Sequence, residues 1–551
     1  MTVQRSAHGR ASVARVACVA LALAGCGSTA DNVFCGSSRD CGWSSEQWAK
    51  VSQLANLGNP PPDRSNAAVG VAAAETLGQK FFFDVRFSGA ATQIDNLRRP
   101  VLPAFARAAK GAPVSLSCAS CHDANRAGID DTSPGGVSIG AGEFDVNAQP
   151  TINAAYYPLL FWNGRSDSLW AQALAANEGA VSMNSNRLHD AWVIADFYRA
   201  DFQAAFTAAP LPMPGKSADV QALLDTDPAR VGQCKLNVTN ACPTDLGCRE
   251  AKDAGGTTSA CWPRFPLNGK PGNKAGCQPG DASEPFGDAW DCMPKEDQDM
   301  ITRVFVSFGK AIAAYETKLV SRDAPFDHFV NDGPDSNAIS LSAERGARLF
   351  VGKAACSECH NTPLLSDRQF HNVGTPQIGH GVPTEVDCPA GGVCDCVGAP
   401  AGMAVDGSAI AAKPAKNCLP WGARDGLTKL RANAFLRNSN WSDDPTDDSS
   451  KVYLSDDTFP LDGVPKGAWR TPTLRDVALT GPYMHDGVFQ SLQEVVAHYN
   501  KGGASGGVGV PAAQLRPLFL SEDEQADLVE FLKSLTGTPL PAELRNAPVL
   551  P

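Results

Sequence analysis

Two C-x-x-C-H pentads stand far apart in this 551-residue chain, Cys118-Ala-Ser-Cys121-His122 and Cys356-Ser-Glu-Cys359-His360. In such a pentad the two thiols can add to the vinyl groups of a haem, and the histidine that follows is placed to ligate the iron from below. The pentads therefore predict two covalently held c-type haems. Cys118, Cys121, Cys356 and Cys359 would attach them, and His122 and His360 would be axial ligands. A redox dithiol or half of a zinc site is the competing reading of each pentad.

Haem of this type is attached outside the inner membrane, and the N-terminus agrees. Arg5, Arg10 and Arg15 precede an apolar run from Val16 to Ala24 that ends in Leu23-Ala24-Gly25-Cys26. The run is too short to span a bilayer. Residues 1–25 read as a signal peptide, and their likeness to a lipoprotein signal implies cleavage before Cys26 and lipidation of that thiol. A plain secretory signal is the alternative. The protein is expected on the periplasmic or cell-surface side, lipid-anchored, with the outer membrane as the expected host.

Setting aside Cys18, Cys26 and the four pentad thiols leaves an even twelve of the 18 Cys. In an oxidising compartment these read as disulfides, with connectivity open. They fall in groups: Cys35 and Cys41; Cys234, Cys242, Cys248, Cys261, Cys277 and Cys292; Cys388, Cys394, Cys396 and Cys418. A structural metal in the group of six is the alternative there. The formal charge of −12 excludes nucleic acid as a partner. It would favour a basic electron donor by steering, or serve solubility alone.

The elements that must hold the pentads read as mainly α, with a chain long enough for at least two cores. Residues 26–65, with Asn59-Pro60-Pro61-Pro62-Asp63, read as a tether. Residues 66–325 and 326–551 are expected to form one domain around each pentad. Each carries a Cys-rich, loop-rich insertion, at 210–299 and 376–465. Ile301, Phe305, Phe308, Ile312, Tyr315 and Leu319 recur as one buried helix face. Ser521 with Glu524 caps a terminal amphipathic helix through Leu528, Phe531, Leu532 and Leu535. Nothing alternates over a length that would suggest a sizeable sheet.

Outside the insertions the chain resembles the bacterial di-haem cytochrome c peroxidase superfamily, which includes the MauG-type enzymes. The segments that carry this are Leu77-Gly78-Gln79-Lys80-Phe81-Phe82-Phe83-Asp84, Asn147-Ala148-Gln149-Pro150-Thr151, Phe161-Trp162-Asn163-Gly164-Arg165, Thr471-Pro472-Thr473-Leu474-Arg475 and Gly481-Pro482-Tyr483-Met484-His485-Asp486-Gly487. The resemblance implies two cytochrome c-like haem domains with long loops. The N-terminal haem would be the peroxide site, the C-terminal one would handle electrons, and Trp162 would lie between them. It also implies Ca²⁺ held by Asn147, Thr480 and Pro482, and often a homodimer. From the residues alone, Trp162 reads as a core Trp and Asn147 as a turn residue.

Departures from the family pattern are informative. Many members place a distal His on the N-terminal haem, yet no His occurs between Asp123 and Leu188. The sixth position of that iron is then expected to be open or water-filled. Members with a Met ligand on the C-terminal haem carry it fourteen residues after the His of Pro-Tyr-x-His; counting from His485 gives Tyr499, as in MauG-type members. A phenolate favours oxidised iron, whereas a thioether favours reduced iron. Met484 is the competing ligand. Gln172 matches a distal Gln, but the place of the distal Glu is taken by Ser182. Glu178 could substitute if its helix slides by a turn; otherwise it is a solvated surface acid. Loss of such a proton shuttle costs about 10²- to 10⁴-fold. His371 is expected near the haem edge as a packing and hydrogen-bonding group, while His189, His328, His380 and His498 carry no assigned chemistry.

The expected function is a peroxide-using oxidoreductase. Its reductant would be a small redox protein such as a cytochrome c or cupredoxin, or a side chain on a partner protein that it modifies, as MauG-type enzymes do. A non-catalytic di-haem electron-transfer lipoprotein and an oxygenase acting on a hydrophobic substrate are the competing classes.

Overall fold

The computed structural model describes residues 42–96, 100–101, 106–130, 132–133, 136–206, 246–253, 256–263, 269–271, 290, 295–376, 402–403, 409–410, 422–504 and 508–551. The signal segment, Cys26, His380 and all the insertion cysteines except Cys248 and Cys261 lie outside them. No helix among the described residues is long and apolar enough to cross a membrane.

Among the described residues the fold is largely helical, with strands only in two-stranded pairs. Each pentad follows a helix whose glycine lets a second helix cross at backbone contact. In Ala72–Phe83, a Cβ on Gly78 would sit 1.8 Å from the Ala311 carbonyl oxygen of Lys295–Glu316. In Leu341–Val351, a Cβ on Gly346 would sit 2.0 Å from the Asp527 carbonyl oxygen of Glu522–Lys533. Any side chain at either position would force the pair apart. The same device thus opens both halves of the chain.

Two large hydrophobic cores result among the described residues. The first gathers Leu77, Phe81, Phe82, Trp170, Tyr198, Phe202, Phe305, Phe308 and Tyr315. The second gathers Phe326, Phe329, Phe350, Leu492, Leu528, Phe531 and Leu535. The helix face expected at Ile301 to Leu319 is buried throughout, and Ser521 and Glu524 form the expected capping box.

The chain ends cross between the halves. Residues 45–52, expected within a tether, form a helix capped reciprocally by Ser44 and Gln47. Its Val51, with Leu54 and Ala55 just beyond, packs into the second core beside Phe329. Trp43 and Trp48 pack edge-on to each other there, with ring centroids 5.4 Å apart. Enough apolar area is buried to outweigh the entropy of ordering this segment. At the other end, Leu540 and Leu544 return to the first core.

Of the insertions, residues 246–253 and 256–263 form a hairpin with Cys248 opposite Cys261 in the register. Residues 269–271 dock onto the first domain, where the Leu188 amide donates to the Gly269 carbonyl at 3.1 Å. The end of the second insertion is not purely loop. Ala423–Arg431 is a helix, and Leu427 and Leu430 pack with Leu159 and Val464 in a small core of their own.

Candidate haem sites

Cys118–Ser120 and Cys356–Glu358 are each a single 3₁₀ turn, so the two sulfurs of each pentad and the following imidazole are presented by a tight corner. All four thiols are free. Burial pushes the Cys118, Cys121 and Cys356 thiols up to about 12 and keeps them protonated. His122 Nδ1 lies 3.1 Å from the Gly128 carbonyl oxygen, and His360 Nδ1 lies 2.6 Å from that of Leu365. A carbonyl only accepts, so Nδ1 carries the hydrogen in both rings and Nε2 is left as the metal donor. Burial also pushes both imidazolium pKa values down and keeps the rings neutral.

Beside the first pentad lies a cavity of about 490 Å³, the size of a cofactor pocket. Its lining includes Cys118, Cys121, His122, Trp162, Gln172 and Ser182. Among the described residues His122 is the sole imidazole in that lining. Some buried polar atoms there lack partners. Nη1 of Arg470 and Oε2 of Glu316 have no hydrogen-bond partner, although Arg470 Nε donates to the Phe161 carbonyl at 3.3 Å; Arg165, stacked 3.3 Å over the Phe161 ring and donating to Asn163 Oδ1 at 3.2 Å, is driven down to about 10 by burial, which Asp145 and Asp425 only partly offset. Buried guanidinium groups whose charge is only partly compensated are costly. Arg165 and Arg470 fit the propionates of a haem, and with free thiols and a prepared imidazole the residues suit covalent haem c.

The distal candidates separate. Gln172 lies on Leu169–Asn177, a helix capped by the Ser168 hydroxyl, and faces the cavity together with Ser182. Glu178 ends the same helix, turned elsewhere. Its carboxylate accepts from Arg187 Nε and Nη2, both at 2.9 Å, and from the Arg187 amide at 3.2 Å, and it is absent from the cavity lining. Lys270 of the first insertion donates to the Glu178 carbonyl at 2.6 Å and closes the arrangement.

At the second pentad, Tyr499 comes from Leu492–Asn500. Burial first, and then the neighbouring Cys356 and Cys359, push its phenol above the usual range. Met484 is a left-handed residue at φ 72°, its carbonyl accepting from the Gly487 amide at 3.2 Å. His371 Nε2 lies 2.7 Å from Asp367 Oδ2. That carboxylate, with the Cys359 sulfur, raises His371 to about 10. His189 and His498 are buried, each bonded to a backbone carbonyl, of Arg86 at 2.9 Å and Val373 at 2.8 Å, and His328 is exposed.

Between the pentads, Trp162 Nε1 donates to the Asn147 carbonyl at 2.8 Å. The Asn147 side-chain amide reaches the Pro482 carbonyl at 2.6 Å, and its backbone amide reaches the His485 carbonyl at 2.6 Å. Thr480 turns its hydroxyl onto the Val477 carbonyl at 3.1 Å.

Sequence reasoning passed over Arg165, Glu316, Trp469 and Arg470. Glu316 had a visible signal, since it falls one turn beyond Ile312 on a face that is otherwise apolar. Arg165 and Arg470 sit inside or beside quoted motifs, but their charge acquires meaning only once burial is known.

Residues 72–225 match the family described as di-haem cytochrome c peroxidase. The chain is 35% identical over 241 residues to cytochrome-c peroxidase IdrP2 of Pseudomonas sp. (strain SCT), covering 44% of this chain and 50% of that protein. It is 27% identical over 496 residues to cytochrome-c peroxidase IdrP1 of the same strain, covering 89% and 86%. It is 28% identical over 240 residues to methylamine utilization protein MauG of Methylorubrum extorquens, covering 43% and 46%. The chain spans about half the length of the first and third of these relatives.

Proposed function

Because the chain belongs to the di-haem cytochrome c peroxidase and MauG family, we propose that it is an oxidoreductase reducing hydrogen peroxide at the N-terminal site, with electrons or oxidising equivalents passing by way of Trp162 and the C-terminal site. The observation that carries this reading is the 490 Å³ cavity in which His122 is the sole lining imidazole among the described residues. His122 would hold the iron of a bound haem, and with no second imidazole in the lining among the described residues, peroxide would have access without prior reduction. Haem c, when bound, supplies a redox-active, Lewis-acidic iron.

The chain's own residues do the rest. The Gly128 carbonyl orients His122 and fixes its tautomer. Gln172 would offer an amide to an oxygen ligand, and Arg165 and Arg470 would hold the propionates of a bound haem. Glu178 is held by Arg187, so proton handling falls to groups that line the cavity, the Ser182 hydroxyl and the Glu316 carboxyl among them. The absence of a carboxylate at Ser182 favours slow peroxide turnover over rapid detoxification.

A second reading, oxidation of a side chain on a partner protein, is supported by one observation: Tyr499 is buried and near enough to Cys356 and Cys359 of the second pentad for their charges to act on its phenol. A phenolate ligand there would favour retention of oxidising equivalents. In the first reading the donor is a small redox protein, a cytochrome c or cupredoxin, steered by the net charge of −12. Lipidation at Cys26, assembly as a homodimer and Ca²⁺ at Asn147, Thr480 and Pro482 belong to the same proposal.

The test is stopped-flow absorption of the fully ferric holoprotein mixed with one equivalent of hydrogen peroxide and no donor. A fast Soret change with a long-lived oxidised product is expected. No reaction until one haem has been reduced would overturn the open N-terminal site.

A further inference from the structure

Phe370–His371 and Trp469–Arg470 pair antiparallel, with His371 directly opposite Trp469. Residues opposed in this way place their side chains on one face, with Cβ atoms about 4.5–5.5 Å apart. The two members of this pair have different neighbours. The Cys359 sulfur, an Asp367 oxygen and a His371 ring nitrogen lie within 4.8 Å of one another. Trp469 lines the cavity that holds His122, Cys118 and Cys121, and its indole lies flat on the imidazole of His485, centroids 4.2 Å apart at 20°.

One cross-strand pair therefore reaches from an attachment sulfur of the second pentad to the cavity of the first. The contact with Trp162 is also direct, because the Arg470 amide donates to the Trp162 carbonyl at 2.9 Å. Trp162 is thus bonded through its backbone to the strand that carries Trp469. Trp469 is only 8% exposed, and its stacking on a neutral, buried His485 keeps it in one orientation. Packing alone asks only for an apolar residue here. The π-systems at both opposed positions, one on the sulfur and one in the cavity, are what electronic coupling asks for.

We propose that His371 and Trp469 form a second electron conduit between the two haem sites, parallel to Trp162. It rests on the di-haem reading above. In the transfer, one electron leaves the reduced C-terminal haem and arrives at the oxidised N-terminal haem. The two side chains supply coupling, end in the oxidation state in which they began, and exchange no proton. The electron comes ultimately from the small redox protein that reduces the C-terminal site.

The experiment uses the full-length di-haem protein without peroxide. Pulse radiolysis delivers one electron per molecule to the fully oxidised protein, and the two Soret bands report its redistribution between haems. Trp162→Phe, Trp469→Phe and the double variant are compared, with both haem spectra and midpoint potentials as controls for intact sites. The expected result is that Trp162→Phe leaves a measurable rate, which falls a further tenfold, about 1.4 kcal/mol of barrier, when Trp469→Phe is added. His371→Leu in the Trp162→Phe background should produce a comparable fall, and it serves as the second probe if Trp469→Phe disturbs the N-terminal spectrum. A double variant no slower than Trp162→Phe overturns the proposal. Because no peroxide is used, failure of the peroxidase reading would show separately, in the mixing experiment above.

Discussion

Trp162 donates its indole N–H to the backbone carbonyl of Asn147 at 2.8 Å, which makes the expected redox bridge and the expected calcium ligand one structural unit. Asn147 in turn bonds through its side chain to the Pro482 carbonyl and through its backbone amide to that of His485. A loop segment of the first half is thereby fastened to the motif loop of the second. Any cation bound at Asn147 and Pro482 would fix the orientation of the Trp162 ring through one intervening peptide.

That linkage predicts a response to chelation. A Ca²⁺ ion would take the Asn147 side-chain oxygen and the carbonyl oxygens of Thr480 and Pro482 as hard donors. Removing it with a chelator should slow the response of the C-terminal Soret band to peroxide severalfold, and added Ca²⁺ should restore it. Asn147→Ala should be slow from the start and blind to Ca²⁺. An untreated protein that ignores the chelator and contains no calcium by elemental analysis would remove the ion from the site.

Tyr499 yields a spectroscopic prediction. Burial disfavours its phenolate, so only a bound cation such as ferric iron would deprotonate it near neutral pH. Tyr499→Phe should therefore convert the C-terminal haem from low to high spin by EPR, with the N-terminal signal unchanged. A low-spin signal that survives the substitution assigns the ligand to Met484 instead.

Both candidate haem sites were legible in the sequence because the expected chemistry is local: five consecutive residues would carry the attachment and the axial ligand. The helix at 295–316 was legible for a similar reason, as its apolar period of 3.6 is independent of its partners. The helix at 45–52 was not, although Ser44 and Gln47 form a capping box, because the polar and proline-rich surroundings outweighed eight residues whose burial depends on Phe329, hundreds of positions away. Glu178 illustrates the limit for the site. A slide of one helical turn was compatible with its spacing, but the cations that hold it, Arg187 and Lys270, lie in another helix and in an insertion. Trp469 acquired its place only from a strand pairing too short to leave a pattern.

The separation of Glu178 from the cavity gives opposite predictions for two acids. Glu178→Gln should leave the peroxide rate close to wild type, while breaking a largely buried ion pair with Arg187 should lower stability by about 1–3 kcal/mol in urea unfolding. Ser182→Glu should place a carboxylate in the cavity where the chain lacks one, and raise the rate of the peroxide step by about 10²-fold or more. A large loss of peroxide rate in Glu178→Gln would mean that the carboxylate leaves Arg187 during the reaction.

Glu316 ties stability to pH with a definite sign. It is buried, lines the N-terminal cavity, and has no hydrogen-bond partner for Oε2. Desolvation pushes its carboxyl up from the ordinary 4.5 to about 8. Between those limits the unfolded chain has released the proton and the folded chain has kept it, so the folded state binds more protons and stability falls as pH rises. The contribution is fully present below pH 4.5, declines by about 1.4 kcal/mol per unit while the folded group stays protonated, and is gone once pH passes 8. Glu316→Gln keeps the shape and removes the titration. Denaturant unfolding at pH 5, 7 and 9 should show the variant gaining on wild type as pH rises, with the gap levelling above about 8. Parallel curves at all three values would show that Glu316 is paired in the folded protein.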